Sequence, residues 1–191
     1  MKTKKWVEKW EKKLAYSTRT PDPSEYSKNT VTVWQPLVVN GLSAWLDDPA
    51  AAKGKAARHI GKKPWGIQWY YSTFIDYMIP DKEYVVRMRL RTEQKTPREK
   101  GKIFDMRPFH HGNEKLNRSQ PTLSAEFDKE KDASGKHRTV VLGKAVVKNP
   151  LATGMLWMNS LVDLDEAVWY ERLEFIPVEE YKEMLTAALN P

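Results

Sequence analysis

Aromatic, basic and amide side chains that could together bind a ligand recur along this sequence. An exposed aromatic face packs on the apolar C–H surface of a ligand, and planar donors and acceptors bind its polar groups. Trp65 is the foremost aromatic candidate because loop residues precede it. The predicted ligand-binding residues are Arg58, His59, Trp65, Arg107, His110, His111, Trp157 and Asn159.

The tryptophans also have a structural interpretation, since tryptophan is usually heavily buried. Trp69 and Trp169 lie within strand patterns, which predicts that they belong to a core. Trp45 is expected to pack under the Asp-Asp-Pro turn that follows it. Trp157 fits either a core role or a ligand role, and both interpretations stay open.

Catalytic and transition-metal chemistry find little support in the sequence. His110 and His111 are adjacent, so on a strand they point to opposite faces, and no third histidine has zinc-site spacing. Gly-x-Ser-x-Gly, Walker and dinucleotide motifs are absent. With no cysteine, the chain has no disulfide, thiol nucleophile or thiolate metal site. The sequence predicts no catalytic residues and a protein that is not an enzyme.

Length and charge set broader limits. With 191 residues, 40% hydrophobic and 30% charged, the chain is expected to form a single globular domain. The net charge of +7 permits a polyanionic partner, but the cations are interleaved with 25 acids, which favours a solvated surface. No apolar run approaches the roughly 20 residues that span a bilayer, and no signal peptide is visible. The chain is then either cytoplasmic or a fragment of a larger exported protein.

The two ends of the chain are predicted to be helical. Residues 3–15 place their apolar side chains at spacings of three and four, and residues 17–29 form a Pro-containing linker. The first helix is either the tail of a preceding domain or a strut docked on the main body. Val178–Leu189 is also predicted to be a helix, with acids at its positive N-terminus. The predicted organisation is 1–29 for helix and linker, 30–178 for the central module and 179–191 for the C-terminal helix.

Strand-like runs occupy the centre of the chain. The run Tyr84–Arg91 alternates, with three apolar residues on one face and Arg87, Arg89 and Arg91 on the other. About eight strands with no helix among them predict an all-β antiparallel sandwich. The arginine trio is interpreted as a solvated face, with polyanion binding as the alternative. The predicted runs are Val31–Val39, Trp65–Ser72, Tyr84–Thr92, Lys102–Arg107, Thr122–Phe127, His137–Leu142, Gly154–Asn159 and Val168–Ile176.

Six segments, in a fixed order across residues 31–177, resemble the motifs of galactose-binding-like β-sandwich carbohydrate-binding modules. The departure from the family pattern is Ala52, where serine is usual. The resemblance is closest to C-terminal modules of large bacterial polysaccharide-utilisation proteins, many with glycosidase-like neighbours. The segments are Ser43–His59, Trp65–Trp69, Tyr84–Arg91, Gly101–Asp105, Val141–Gly143 with Gly154–Trp157, and Ala167–Pro177.

This resemblance implies a jelly-roll sandwich with short N- and C-terminal helices that binds polysaccharide or oligosaccharide. In this fold the binding site usually lies on loops at one end of the sandwich, and the ligand-binding residues given above are its candidates. It also implies an extracellular or periplasmic monomer attached to a catalytic domain. Modules of this kind often hold a structural calcium ion, and the matching oxygens here belong to Asp47, Asp48 and Glu174, which suit a hard cation. The alternative is that Asp48 makes an Asx turn before Pro49 and Glu174 pairs with a basic residue.

Several functions stay open at this stage. The first is a non-catalytic carbohydrate-binding or accessory module, with an acidic polysaccharide favoured because arginine forks suit carboxylate and sulfate. The second is a purely structural domain that supports a catalytic neighbour without a ligand of its own. A nucleic-acid binder would need clustered basic residues and stacking aromatics, and the sequence suggests no cluster beyond the arginine trio. A sandwich lyase would need a cleft of Tyr, His and Arg that the sequence does not locate.

Overall fold

The structure is a computed structural model, and its description is limited to part of the chain. The predicted helix at residues 3–15 and the linker that follows it lie outside the described residues. The described ranges are 29–34, 37–38, 43–61, 64–70, 78–79, 81–96, 98–110, 115, 121–146 and 154–190.

The described residues form two antiparallel sheets, which confirms the predicted all-β sandwich. Sheet A has six strands and sheet B has five. Sheet A contains β1 (Val31–Val33), β3 (Ser43–Asp47), β4 (Lys55–Ile60), β6 (Glu83–Glu93), β9 (Arg138–Val146) and β11 (Ala167–Pro177). Sheet B contains β2 (Leu37–Val38), β5 (Pro64–Tyr70), β7 (Lys102–His110), β8 (Leu123–Glu126) and β10 (Gly154–Ser160).

Each sheet is organised around one central strand near the end of the chain. Sheet A has the order β3-β4-β11-β6-β9. The first part of β11 pairs with β4 and a later part of the same strand pairs with β1. Sheet B has the order β2-β5-β10-β7-β8. Because β10 and β11 are consecutive in sequence but central in different sheets, most of the sandwich is assembled around the last third of the chain.

The space between the sheets is filled by one apolar core. Sheet A contributes Val86, Met88 and Leu90, the apolar face that the alternation of β6 predicts. Across the gap, the rings of Phe104 in β7 and Tyr170 in β11 meet edge to face, with 5.6 Å between centroids. Trp69 is buried in the same core, as predicted.

A bulge in β11 adapts a non-alternating sequence to this core. Strict alternation would put Tyr170 and Leu173 on opposite faces of the strand. The register against β6 shifts between Tyr170 and Arg172, so that Glu171 is the extra residue. Both Tyr170 and Leu173 therefore belong to the core, and Glu171 joins the charged side chains on the outer face.

A second bulge lies in β9, where Val86 pairs with Gly143 and Arg87 with Val141. Gly143 has φ of 144°, and a Cβ on it would lie 3.1 Å from the Leu123 side chain. Glycine suits this position because other residues rarely adopt such a φ and because β8 of sheet B, which carries Leu123, is close.

Two expectations about the elements are corrected. The run 31–39 is not one strand, because β1 joins sheet A and β2 joins sheet B. Pro36 lies between them and lacks the N–H that a continuous strand would use. The strands are also not free of helix, since α1 (Lys129–Ala133) separates β8 from β9. Asp128 caps this short helix by accepting a hydrogen bond from the Lys131 N–H.

The C-terminal helix α2 spans Val178–Leu189, the range that the sequence predicts. Glu179 and Glu180 lie in its first turn, where the helix dipole favours negative charge. Lys82 Nζ lies 3.6 Å from Glu179 Oε2, so an ion pair connects the first turn of the helix to the sandwich. None of the described helices has the length and apolarity needed to cross a bilayer.

We expect Met88→Ala to lower the free energy of unfolding by about 2–5 kcal/mol, because it leaves a cavity between the sheets. Met88 is fully buried on the central part of sheet A. Val141→Ala is the matched control, because Val141 lies on edge strand β9 and is 49% exposed. Chemical denaturation measures both changes, and equal effects of the two substitutions would contradict the assigned core.

Candidate functional site

The outer face of sheet B carries polar and aromatic side chains at alternate positions of its central strands. In β10, Leu156 and Met158 point into the core, so Trp157 and Asn159 point outward. In β7, Phe104 and Met106 are buried, so Asp105 and Arg107 point outward in the same way.

Strand register arranges these side chains in two rows. Trp157 lies opposite Gln68 of β5 on one side and Arg107 of β7 on the other. Asn159 lies opposite Asp105, and its Nδ2 donates a hydrogen bond to Asp105 Oδ1 at 2.8 Å. These five residues are called the platform below.

The platform has dimensions that suit a sugar. With strands about 4.8 Å apart, the row of Gln68, Trp157 and Arg107 spans about 10 Å, and the second row lies about 7 Å further along the strands. Trp157 is half-buried and Arg107 is exposed. An indole face can stack on a pyranose, and the neighbouring amide and exposed guanidinium can bind its hydroxyls, whereas the Trp157 Nε1 and Asn159 Oδ1 atoms are buried.

The structure brings together three of the eight predicted ligand-binding residues and places two others, Arg58 and His59, in the other sheet. Arg107, Trp157 and Asn159 share the platform. Trp65 and His110 belong to β5 and β7, but their side chains lie outside the described part of the structure, as does the whole of His111. Their predicted roles stay predictions.

The remaining two predicted residues belong to β4 of sheet A. His59 is buried, with 2% of its surface exposed, so it offers little surface to a ligand. Arg58 faces outward, and its Nη2 lies 2.7 Å from Glu93 Oε2. The physical reason for the separation is that β4 and β10 lie in different sheets.

Sequence reasoning did not select Gln68 or Asp105. Gln68 lies between Ile67 and Trp69, which are both buried in the core. A polar residue between two core residues of a strand is the available signal for an outward-facing position. Its pairing with Trp157 depends on register, which the sequence alone does not display.

The outer face of sheet A carries arginines that are already paired, which corrects the interpretation of the trio as a solvated face, while the polyanion alternative stays a prediction. Arg87 bonds Glu174, Arg89 bonds Glu171 and Arg91 bonds Asp48, each with an Nε–O distance of 3.0 Å. All three carboxylates are buried. Buried carboxylates require such partners, so Arg87, Arg89 and Arg91, the arginine row, serve the fold before any polyanion.

A buried histidine joins the arginine row. His137 Nε2 lies 2.8 Å from Asp48 Oδ2, and its Nδ1 lies 3.8 Å from Glu171 Oε2. Burial lowers the pKa of His137 below its ordinary value, although Asp48 opposes this shift. Burial alone would raise the pKa of Asp48, but hydrogen bonds from His137 and Arg91 hold it below its ordinary value.

Trp169 is buried on this same outer face. It clusters with Ala51 and Ala56, so the tryptophan that packs at the Asp-Asp-Pro turn is Trp169 and not Trp45, contrary to the prediction. Trp45 instead packs against the main core. The Arg91 guanidinium lies 4.2 Å from the Trp169 ring centroid, and the indole N–H donates to Glu93 Oε1 at 2.7 Å.

The proposed calcium ligands do not form a cage as placed. Asp48 Oδ1 accepts a hydrogen bond from the Ala50 N–H, which is the Asx-turn alternative, and Glu174 bonds Arg87 and Arg172. Asp47 is exposed beside Lys55. Within the described ranges, no group of three or more His, Cys, Asp or Glu side chains could hold a metal ion. Calcium at Asp47, Asp48 and Glu174 stays a prediction, and a calcium-dependent rise in melting temperature that Asp48→Asn removes would support it.

Comparison with known proteins finds similarity in architecture only. No protein-family model matches the sequence, and no curated protein sequence matches it. Among solved structures, the chain is similar to the CBM22-1 xylan-binding domain of Paenibacillus barcinonensis Xyn10C, with 7% identity, a TM-score of 0.44, and coverage of 82% of this chain and 92% of that one.

Other similar structures are much longer than this chain. The CBM22-1–GH10 modules of Clostridium thermocellum xylanase 10B match with 8% identity and a TM-score of 0.48, over 74% of this chain and 25% of that one. The Podospora anserina GH26-CBM35 mannanase matches with 9% identity and a TM-score of 0.46, over 78% of this chain and 28% of that one. An insecticidal crystal protein also matches, with 9% identity, a TM-score of 0.47, and coverage of 80% and 22%. The neighbours thus include β-sandwich carbohydrate-binding modules of glycoside hydrolases, the class that the sequence motifs resemble, and these similarities assign neither a ligand nor an activity to this chain.

We expect the free energy of unfolding to fall as the pH is lowered from about 7 to about 5, partly because of His137. In the unfolded chain this histidine takes up a proton near its ordinary pKa of 6.5, whereas in the fold its pKa is lower. Below that pH the unfolded state therefore binds more protons, and stability is lost as the pH falls. The groups that face His137 are Asp48, Glu171 and Arg91, and Arg89 is bonded to Glu171.

His137→Asn should make this pH dependence shallower, because it removes the titrating group from the buried network. Urea denaturation at a series of pH values measures the slope for the variant and the parent chain. Equal slopes in the two proteins would mean that His137 does not contribute to the pH dependence.

Proposed function

We propose that the chain is a non-catalytic carbohydrate-binding module whose ligand lies on the outer face of sheet B. The observation that carries the proposal is the row of Gln68, Trp157 and Arg107, with Asn159 and Asp105 beside it. The equivalent face of sheet A is occupied by ion pairs between arginines and buried acids. The sequence resemblance supports a carbohydrate ligand, but it implies a site on loops at one end of the sandwich, so the choice of this face is made on the strand register alone.

An acidic glycan, with uronate or sulfate groups, is the proposed ligand class. Arg107 is the cation of the platform, it is exposed, and no ion pair with it is found among the described residues. A guanidinium binds carboxylate or sulfate through two parallel hydrogen bonds. The overall charge of +7 is weaker support, because residues 1–28 hold eight Lys/Arg and four Asp/Glu and so account for four of the seven charges.

The alternative is a structural domain without a ligand, which supports a catalytic neighbour. The half-burial of Trp157 favours this alternative, because its indole Nε1 is already buried. On either proposal the module belongs to a larger carbohydrate-active protein outside the cell, as the sequence resemblance implies. The two alternatives differ in whether Trp157 contacts a sugar, which can be measured directly.

We expect the full chain to bind one class of polysaccharide, and Trp157→Ala to weaken that binding at least about tenfold through loss of the stacking surface. Isothermal titration calorimetry against neutral and acidic polysaccharides measures the affinity without relying on tryptophan emission. The control is Trp34→Ala, which removes a half-buried tryptophan held between Lys53 and Arg172 on the other sheet. Equal losses in the two variants, or no binding by the parent chain, would favour the structural alternative.

Arg107→Gln tests the acidic-glycan proposal separately. It should weaken binding of an acidic polysaccharide and make the remaining affinity nearly independent of salt, because screening acts on the charge that was removed. Affinity measured at low and high salt provides the comparison. An unchanged salt dependence would contradict the role of Arg107, although a neutral glycan could still bind beside Trp157.

A further inference from the structure

The C-terminal helix α2 presents an apolar stripe that the described residues leave uncovered. Tyr181, Met184, Leu185 and Leu189 recur at spacings of three and four, so they lie on one side of the helix. Their exposure increases along the helix, reaching 40% at Met184, 49% at Leu185 and 81% at Leu189. No residue of α2 is buried.

Such a helix needs packing to be stable. A helix of 12 residues is marginal in water by itself, because helical stability in proteins comes mostly from tertiary contacts of an apolar face. Among the described residues, two polar contacts stabilise the first turn of α2. They are the ion pair between Lys82 and Glu179 and the hydrogen bond from Thr30 to Glu180. The stripe beyond that turn therefore lacks the contact that would stabilise it.

The N-terminal part of the chain reaches the described structure beside the first turn of α2. Thr30 Oγ1 donates a hydrogen bond to Glu180 Oε1 at 2.9 Å. The other carboxylate oxygen, Glu180 Oε2, is buried and has no hydrogen-bond partner within the described part of the chain. A buried carboxylate oxygen without a donor is costly, so a donor or cation is expected at this position.

Residues 3–15 have the complementary composition. Trp6, Val7, Trp10 and Leu14 form an apolar stripe at helical spacing, and six lysines but only two glutamates lie in residues 2–13. The described part of α2 has the opposite balance, with Glu179, Glu180 and Glu183 against Lys182. Charge and apolar pattern therefore match on both segments.

The connection between the two segments is long enough. Residues 15 and 30 are separated by fifteen residues, which can span up to roughly 50 Å when extended, whereas α2 is roughly 18 Å long. The chain can thus place residues 3–15 at any position along the stripe.

We propose that residues 3–15 dock as a helix on the apolar stripe of α2, within the same chain. Trp6, Trp10 and Leu14 pack on Met184, Leu185 and Leu189, and lysines of the segment approach the α2 glutamates. On this proposal residues 3–15 are the strut docked on the module that the sequence analysis gives as one of two alternatives. This inference does not depend on carbohydrate binding.

A double-mutant cycle in the full chain tests the contact. Trp10→Ser and Leu185→Ser are made singly and together, and the unfolding constant is measured by chemical denaturation. Residues in contact show coupled effects. The factor by which the double substitution raises the unfolding constant should therefore be about one fifth of the product of the two single factors. The matched control pairs Trp10→Ser with Leu164→Ser, another leucine, which is 81% exposed in the turn between β10 and β11. If the factors of the two single substitutions simply multiply in both pairs, with no coupling between Trp10 and Leu185, the proposal is overturned.

Engineered cysteines identify the occupant of the stripe, because the parent chain has no cysteine. Trp10→Cys with Leu185→Cys should form a disulfide within one chain on mild oxidation at low protein concentration. Trp10→Cys with Ala187→Cys is the control, since position 187 lies on the other side of α2. Disulfide-linked dimers would assign the stripe to a second copy and overturn the proposal, as would the absence of any disulfide in the first pair or equal disulfide formation in both.

Discussion

The pairing of the arginine row with buried acids is the interaction on which the arrangement of sheet A depends. Glu171 is fully buried and Asp48 nearly so, and an unpaired carboxylate in such a place would be strongly destabilising. Arg89 and Arg91 supply the counter-charges from alternate positions of β6. If β6 moved by one residue relative to its neighbours, the arginines would enter the core and the acids would lose their partners. The charged outer face therefore fixes the register that the apolar core also requires.

The bulge in β11 is what makes both sets of contacts compatible. It inserts Glu171 between Tyr170 and Arg172, so that Tyr170 and Leu173 both reach the core while Glu171 meets Arg89. Arg172 then bonds Glu174, and it also ion-pairs with Glu171. One additional residue in the strand thus allows the apolar residues on both sides of it to face the core while the charged residues face outward.

These constraints also divide the surface by function. The outer face of sheet A has its charges committed to one another, and Trp169 is enclosed there by arginines, Glu93 and the Ala51 turn. On the outer face of sheet B, the described side chains include the hydrogen-bonded pair of Asn159 and Asp105, and Arg107 is exposed beside Trp157. A ligand is therefore proposed on sheet B, where binding would not break interactions that stabilise the fold.

Much of this could be predicted from residue order alone. The period-two pattern of β6 defines a buried apolar face and an outer arginine face, because neither leucine in water nor arginine in a core is favourable. The range of α2 follows from its apolar spacing and its acidic first turn. Local signals of this kind depend on neighbours within a few residues, which is why a sequence can display them.

What only the tertiary structure decided involves residues far apart in the chain. The two strands made by residues 31–38 belong to different sheets, and Asp48 contacts His137 and Arg91. Trp169, and not Trp45, packs at the turn that contains Ala51. Arg107, Trp157 and Asn159 could be selected by type, but their union with Gln68 and Asp105, and their separation from Arg58 and His59, follow from which strands are adjacent. Strand adjacency is set by the packing of the whole core, and no local pattern of residue types encodes it.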